Sequence, residues 1–169
     1  FQFYRYLDVD GDGIPYRSLP GTHPNKGAFF TRGSGHDRFG GYTEDSAEYQ
    51  EVMARLVAKF RTAATLVPPA VADGTGKATL GILSIGSCDA AVREALHALR
   101  RDGLAVDYLR VRGFPFGAEV EAFLAAHETV FVVEQNRDAQ LKSLLVLETA
   151  VEKHKLHSIL HYSGLPLTA

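Results

Sequence analysis

The sequence has 169 residues, a formal net charge of −2 and a single cysteine, Cys88. That length holds one domain plus an extension and buries roughly 70% of its unfolded surface, while the near-neutral mixed charge gives no electrostatic case for nucleic acid or an anionic membrane. One cysteine excludes an internal disulfide and fits a reducing cytoplasm, and no apolar run nears the ~20 residues of a bilayer span.

Phe1 to Leu7 alternates aromatic with polar residues, which predicts a half-buried strand. The sequence starts there without an initiator methionine and is read as a piece of a longer polypeptide. Asp8, Asp10 and Asp12 then stand at alternate positions before Gly13, the opening of a calcium loop in which side chains converge on one ion. Leu19 occupies the position of the closing bidentate acid, so a glycine-rich turn with capping aspartates is the better reading, and the calcium loop a weak one.

Residues 14–42 are rich in Gly, Pro, Thr and His without helical or strand period, an extended arm of the kind that is functional or linking when it is this long. Within it, Thr31, Arg32, His36 and Asp37 gather a hydroxyl, a cation, an imidazole and a carboxylate around two glycines. Backbone amides can approach an anion closely in such a loop. The plainer account of His36 is a hydrogen-bonding strut. Thr43 to Leu66 is predicted as a long amphipathic helix, with Asp45 and Glu48 as a capping pair. Tyr49, Val52, Met53, Leu56, Val57 and Phe60 form its stripe, and Pro68 and Pro69 end it. Ala70 to Lys77 reads as an exposed linker.

From Ala78 the pattern becomes regular. Strands are expected at Thr79–Ile85, Val106–Val111, Thr129–Val133 and Ser158–His161. Helices are expected at Asp89–Arg101, Ala118–His127 and Ala139–Leu147. Alternation of this kind predicts an α/β fold, an open and mainly parallel sheet with helices on both faces. The domain reading is therefore 1–42, the end of an upstream domain and the arm; 43–77, the long helix and linker; and 78–169, the α/β domain. Thr129 to Val133 is a continuous apolar run, as in a strand buried on both faces, and it stops abruptly in Glu134, Gln135, Asn136, Arg137 and Asp138. At the carboxyl edge of such a sheet a polar cluster marks a ligand or partner surface. Capping by Asn136 or Asp138 and surface pairing of Glu134 with Arg137 is the structural alternative. Cys88, in the turn Gly86 to Asp89, reads as a packed small residue rather than a nucleophile. The histidines 154, 157 and 161 lack a zinc-ligand framework.

Four ordered stretches, Tyr6 to Arg17, Pro20 to Thr22, Thr31 to Asp37 and Val132 to Gln140, together resemble the alpha subunit of bacterial 2-oxoglutarate:ferredoxin oxidoreductases. The resemblance covers essentially the whole chain and corresponds to the end of the pyrimidine-side domain, the linker and a second core domain similar to the carboxyl-terminal domain of transketolase. It implies oxidative decarboxylation of a 2-oxoacid with coenzyme A, giving an acyl-CoA, carbon dioxide and reduced ferredoxin. Thiamine diphosphate with Mg2+ and a [4Fe-4S] cluster would serve it, mostly on a beta subunit or upstream of Phe1, in an oligomer. The further expectation is that Thr31, Arg32, His36, Asp37, Glu134, Asn136 and Arg137 lie at a subunit interface near the active-site cleft and shape access for the 2-oxoacid or coenzyme A. In the family it resembles, many members carry an acid after the His-Asp pair, where this chain has Arg38. Other expectations are a thiamine enzyme without ferredoxin, of the transketolase or pyruvate dehydrogenase type, and an assembly module inactive alone.

Overall fold

A computed structural model describes residues 3–28 and 32–168. The chain divides into two compact units, 1–66 and 67–169, and each is described by itself.

The first unit is an irregular arm and one helix, α1 (Ser46–Leu66). The helix begins where Asp45 caps it, its Oδ1 accepting from the Ala47 and Glu48 amides at 2.9 and 3.0 Å; three residues of the range expected from sequence lie outside it. Glu48 does not complete the pair, and its Oε2 is buried without a hydrogen-bond partner. Of the strand expected over residues 1–7, residues 1 and 2 lie outside the described residues, and no strand forms at residues 3–7. Phe3 to Leu7 turns instead, because its aromatics pack on the arm rather than on a neighbouring strand. Tyr4 lies 4.3 Å from the Phe39 ring, Tyr6 meets His36 edge-on at 5.6 Å, and the Tyr6 amide donates to the Arg38 carbonyl.

The second unit is the α/β domain. Its elements are β1 (Val71–Asp73), β2 (Leu80–Ile85), α2 (Asp89–Arg101), β3 (Val106–Val111), α3 (Ala118–Ala126), β4 (Thr129–Glu134), α4 (Gln140–Glu148) and β5 (Leu156–Leu160). The strands lie in the order β1-β3-β2-β4-β5, parallel throughout except β1, which runs antiparallel on β3. The expected linker thus contributes an edge strand, too short to show a period.

The crossovers leave β2 in opposite directions, and right-handed connections then put α2 on one face and α3 and α4 on the other. The two cores follow that division. Leu83, Leu109, Val120, Leu124, Val132, Leu141 and Leu145 pack on the α3–α4 face. Ile82, Cys88, Val92, Leu96 and Tyr108 pack under α2. Tyr108 keeps its hydroxyl satisfied in that core by Ser84 at 2.7 Å and Asp89 at 3.0 Å, and burial pushes its pKa up to about 12. Among the described residues no helix is long and apolar enough to cross a membrane.

At the amino edge one buried carboxylate ties three elements. Asp107 on β3 accepts from the Thr75 amide at 2.7 Å and the Ala78 amide at 3.1 Å. Its Oδ2 also lies 3.2 Å from Nε2 of His127, whose Nδ1 donates to the Phe123 carbonyl at 2.7 Å. Gly74, with φ +143°, leaves no room for a Cβ against this carboxylate. Burial alone would raise the Asp107 pKa, but the Ala78 amide, His127 and the Thr75 amide together hold it below its ordinary value. A depressed pKa stabilises the fold at pH values above the unfolded carboxyl's pKa of about 3.9, and that contribution is lost as pH falls through the folded value. Asp107→Ala is expected to cost about 3 kcal/mol, since it strands buried donors. Chemical denaturation should show the loss at pH 7, with the difference between variant and parent shrinking below about pH 4.

Candidate functional site

In the first unit the arm is moored to α1 by its backbone. The Asp8 carboxylate accepts from the Gly11 and Gly13 amides at 2.8 and 2.9 Å, and Asp12 Oδ1 from the Ile14 amide at 2.7 Å. The turn so formed presses Gly13, at φ +78°, against the backbone of Ala58 and Lys59, where any Cβ would collide. Arg55 Nη1 then donates to the Gly13 carbonyl at 3.0 Å and Thr62 Oγ1 to the Asp12 carbonyl. The carboxylates of Asp8, Asp10 and Asp12 do converge, with ligand atoms within 4.8 Å of one another. Asp8 and Asp12 also hold amides of the glycine-rich turn, while Asp10 is exposed.

Beside this mooring lies a half-open hollow of about 370 Å³. Arg5 and Arg17 from the arm and Arg55 and Lys59 from α1 line it, with Ser34 and His36. No carboxylate is among its described lining residues. Arg5 is braced by Ser18 Oγ at 2.6 Å, and Arg55 by Gly13 and by the Tyr6 ring, 5.6 Å from its guanidinium. Arg17 and Lys59 make no ion pair among the described residues. The Nε atoms of Arg55 and the Nε2 of His36 are buried without a hydrogen-bond partner. Four cations converging without an acid favour an anion, and more so away from bulk water.

Of the residues singled out from sequence, His36 alone lines this hollow. Thr31 lies outside the described residues. Arg32 is exposed and makes no ion pair among them. Asp37 shapes the arm, its Oδ1 accepting from the Phe39 and Gly41 amides at 2.9 and 2.8 Å. Arg38 pairs with Glu51 at 2.8 Å. Arg5, Arg17, Arg55 and Lys59 were not singled out. The available signal was Arg55 and Lys59 at helical i, i+4 spacing, beside an apolar stripe.

At the carboxyl edge of the sheet the polar run after β4 is largely a cap. Glu134, 1% exposed, accepts from the Leu141 amide at 2.6 Å, the Lys142 amide at 3.0 Å and Asn136 Nδ2 at 2.8 Å. Asn136 Oδ1 accepts from the Asp138 and Gln140 amides. These two side chains satisfy the first donors of α4, as the exposed ends of helices require. Arg137 pairs with Asp138 at the surface, at 2.8 Å. The side chain left exposed toward the crevice is Gln135, which accepts from Ser87 Oγ. Cys88 is buried, and burial first and the Glu134 charge second push its thiol up, the setting of an inert cysteine.

No family model matches the chain. It is 33% identical over 169 residues to 2-oxoacid:ferredoxin oxidoreductase 2, subunit alpha, of Aeropyrum pernix, covering 97% of this chain and 25% of that protein. It is 26% identical over 140 residues to the 2-oxoacid:ferredoxin oxidoreductase subunit alpha of Saccharolobus solfataricus, covering 80% and 22%. Among solved structures it matches 2-oxoglutarate:ferredoxin oxidoreductase from Magnetococcus marinus with 2-oxoglutarate, coenzyme A and succinyl-CoA bound. That match has a TM-score of 0.83 and 27% identity, and covers 99% of this chain and 29% of the other. The chain thus spans about a quarter of the length of the curated relatives it matches.

The capping account of Glu134 makes a direct prediction. Glu134→Ala is expected to lower stability by about 2–4 kcal/mol, because the buried Leu141 amide and the half-buried Lys142 amide lose their acceptor. Glu134→Gln, which keeps one carbonyl oxygen, should recover part of it. Thermal or urea denaturation reads both, and a melt unmoved by Glu134→Ala would free that residue for another role.

Proposed function

We propose, from the premise that this chain is homologous to a segment of 2-oxoacid:ferredoxin oxidoreductase alpha subunits, that it forms part of such a subunit and helps bind the anionic substrates of the reaction. The reaction is conversion of a 2-oxoacid, 2-oxoglutarate in the first instance, with coenzyme A and oxidised ferredoxin, to succinyl-CoA, carbon dioxide and reduced ferredoxin. The observation that carries this reading is the hollow in the first unit, with four cations and no lining carboxylate. Both the 2-oxoacid and coenzyme A are anions, and arginine forks suit carboxylate and phosphate alike.

Thiamine diphosphate with Mg2+ would supply carbanion stabilisation, and an iron–sulfur cluster single-electron acceptance, when bound in the complete enzyme. One buried cysteine does not make the four-thiolate set of a [4Fe-4S] centre. In the acidic turn, Asp8 and Asp12 accept from backbone amides. We therefore route no step through either group in this chain and place them on the beta subunit or upstream. A beta subunit and ferredoxin are the proposed partners, and the cytoplasm the proposed compartment. What this chain's residues contribute is orientation and charge. His36, Arg17 and the exposed Arg32 would receive the anion from the arm side, and Gln135 and Arg137 would offer a polar edge to a partner.

A second reading, a purely structural assembly module, is favoured by the capping roles of Glu134 and Asn136. One experiment separates the two. In the complete complex, Arg17→Ala, Arg32→Ala and His36→Ala are assayed for the Michaelis constants of 2-oxoglutarate and coenzyme A. Losing a charge-assisted hydrogen bond of about 1.5–3 kcal/mol should raise one of them roughly tenfold or more for Arg17→Ala. Normal assembly with both constants unmoved in all three variants would leave the structural module standing.

A further inference from the structure

We infer that β5 is an interface with a second copy of this chain, the two strands pairing antiparallel about a two-fold axis at Ser158 so that the sheets of both copies join. The inference stands apart from the anion site proposed above.

The two edges of the sheet are unlike. β1 has three residues and runs antiparallel on β3, and so short an edge offers little to another chain. β5 has five residues and pairs with β4 without a break in register from Leu156 to Leu160. The His161 amide donates to the Glu134 carbonyl at 3.0 Å. Alternation along the parallel ladder then turns the backbone groups of His157 and Ile159 toward β4 and those of Leu156, Ser158 and Leu160 outward. The Leu156 amide closes the preceding turn on the Lys153 carbonyl. The Leu156 carbonyl and both groups of Ser158 and Leu160 have no hydrogen-bond partner among the described residues. Natural edges are kept from pairing by lysines, prolines or bulges, and Leu156–Leu160 contains none of them. His157 and Ser158 are exposed, and Ile159 is 45% exposed.

What selects a second copy is the symmetry of the segment. Leu156-His-Ser-Ile-Leu160 is nearly palindromic about Ser158, so the strand turned end for end presents matching groups, as a two-fold interface requires. With Ser158 opposite Ser158, the two serines exchange amide and carbonyl, and each Leu160 amide meets the Leu156 carbonyl of the other copy. His157 then falls opposite Ile159. Since Phe131 pairs with His157 and Val133 with Ile159 within each copy, these four side chains form one row across the join. Like charges are kept apart, because Lys153 and Lys155 fall opposite Ser163 and His161 rather than opposite each other.

The test is made in the complete oxidoreductase complex with Ser158→Cys. Cα atoms of a hydrogen-bonded antiparallel pair lie about 5.5 Å apart, within the span of a disulfide. The natural Cys88 of this chain is buried. Mild oxidation should therefore link two copies through position 158, with the linked peptides identified by mass spectrometry. The control is Leu147→Cys, exposed on α4 and away from the strand, which should not link. Ser158→Lys places two like charges on the axis and should weaken self-association, read by sedimentation over a dilution series, roughly tenfold or more. No linkage above the control would overturn the inference. Linkage of Ser158→Cys to a different subunit would overturn it by assigning the edge to a strand of that partner. Self-association unmoved by Ser158→Lys would overturn it as well. If Ser158→Cys fails to assemble, His157→Cys combined with Ile159→Cys, which fall opposite each other, is read by the same linkage.

Discussion

Backbone amides that neither helix nor sheet can satisfy must find another acceptor, and in this chain they find carboxylates. Asp8 holds the Gly11 and Gly13 amides, Asp37 those of Phe39 and Gly41, Asp107 those of Thr75 and Ala78, and Glu134 those of Leu141 and Lys142. Where those donors are buried, as at Ala78 and Leu141, lacking a partner would cost about 1–3 kcal/mol apiece. The consequence reaches beyond local turns. Acids and bases are nearly balanced in this chain, so acids committed to the backbone are not available to pair with cations. Arg17 and Lys59 make no ion pair among the described residues, and they line the hollow of the first unit with Arg5 and Arg55.

The two units answer that constraint differently. The second is saturated: its core covers both faces of the sheet, Tyr108 is hydrogen-bonded at its hydroxyl, and the β4 edge is closed by Glu134 and Asn136. In the first unit Val52 is the buried hydrophobic residue among those described, while Tyr49, Val57 and Phe60 on α1 stay more than a third exposed. So little apolar burial offsets little chain entropy. Order there depends on the Gly13 contact with α1 and on Arg55, an arrangement that surrounding protein can complete. The relatives it matches are about four times as long.

Much of the α/β domain was legible because its signals are strong and local. Leu80–Ile85, Val106–Val111 and Thr129–Glu134 are runs of apolar residues long enough to say strand, and Asp89–Arg101 has both periodic residues and a stop at Gly103. β1 escaped notice because three residues, Val71–Asp73, carry no period, and pairing to β3 alone makes them a strand. Phe3 to Leu7 misled for the opposite reason, since alternating aromatics serve equally well to stack on Phe39 and His36. Glu134 was conspicuous in sequence as an acid after a buried strand. What sequence does not carry is that its partners lie seven and eight residues on, across the αL residue Ala139.

The hollow was not legible for a reason of distance. Arg17 and Lys59 are far apart in the chain, and nothing in either neighbourhood announces the other. What joins them is a glycine: Gly13 can lie against the α1 backbone only because it has no Cβ, and Arg55 then reaches its carbonyl. A side chain at position 13 would open the wall that holds Arg5 and Arg17 away from the wall that holds Lys59. An anion touching both walls would work in the same direction as that contact. Its binding free energy would be shared with the ordering of the arm, by the linkage that lets any ligand of a folded form stabilise it. The Asp-Gly repeat resembles a metal loop by spacing. Its aspartates Asp8 and Asp12 hold amides of the turn, and Gly13 seats that turn against α1.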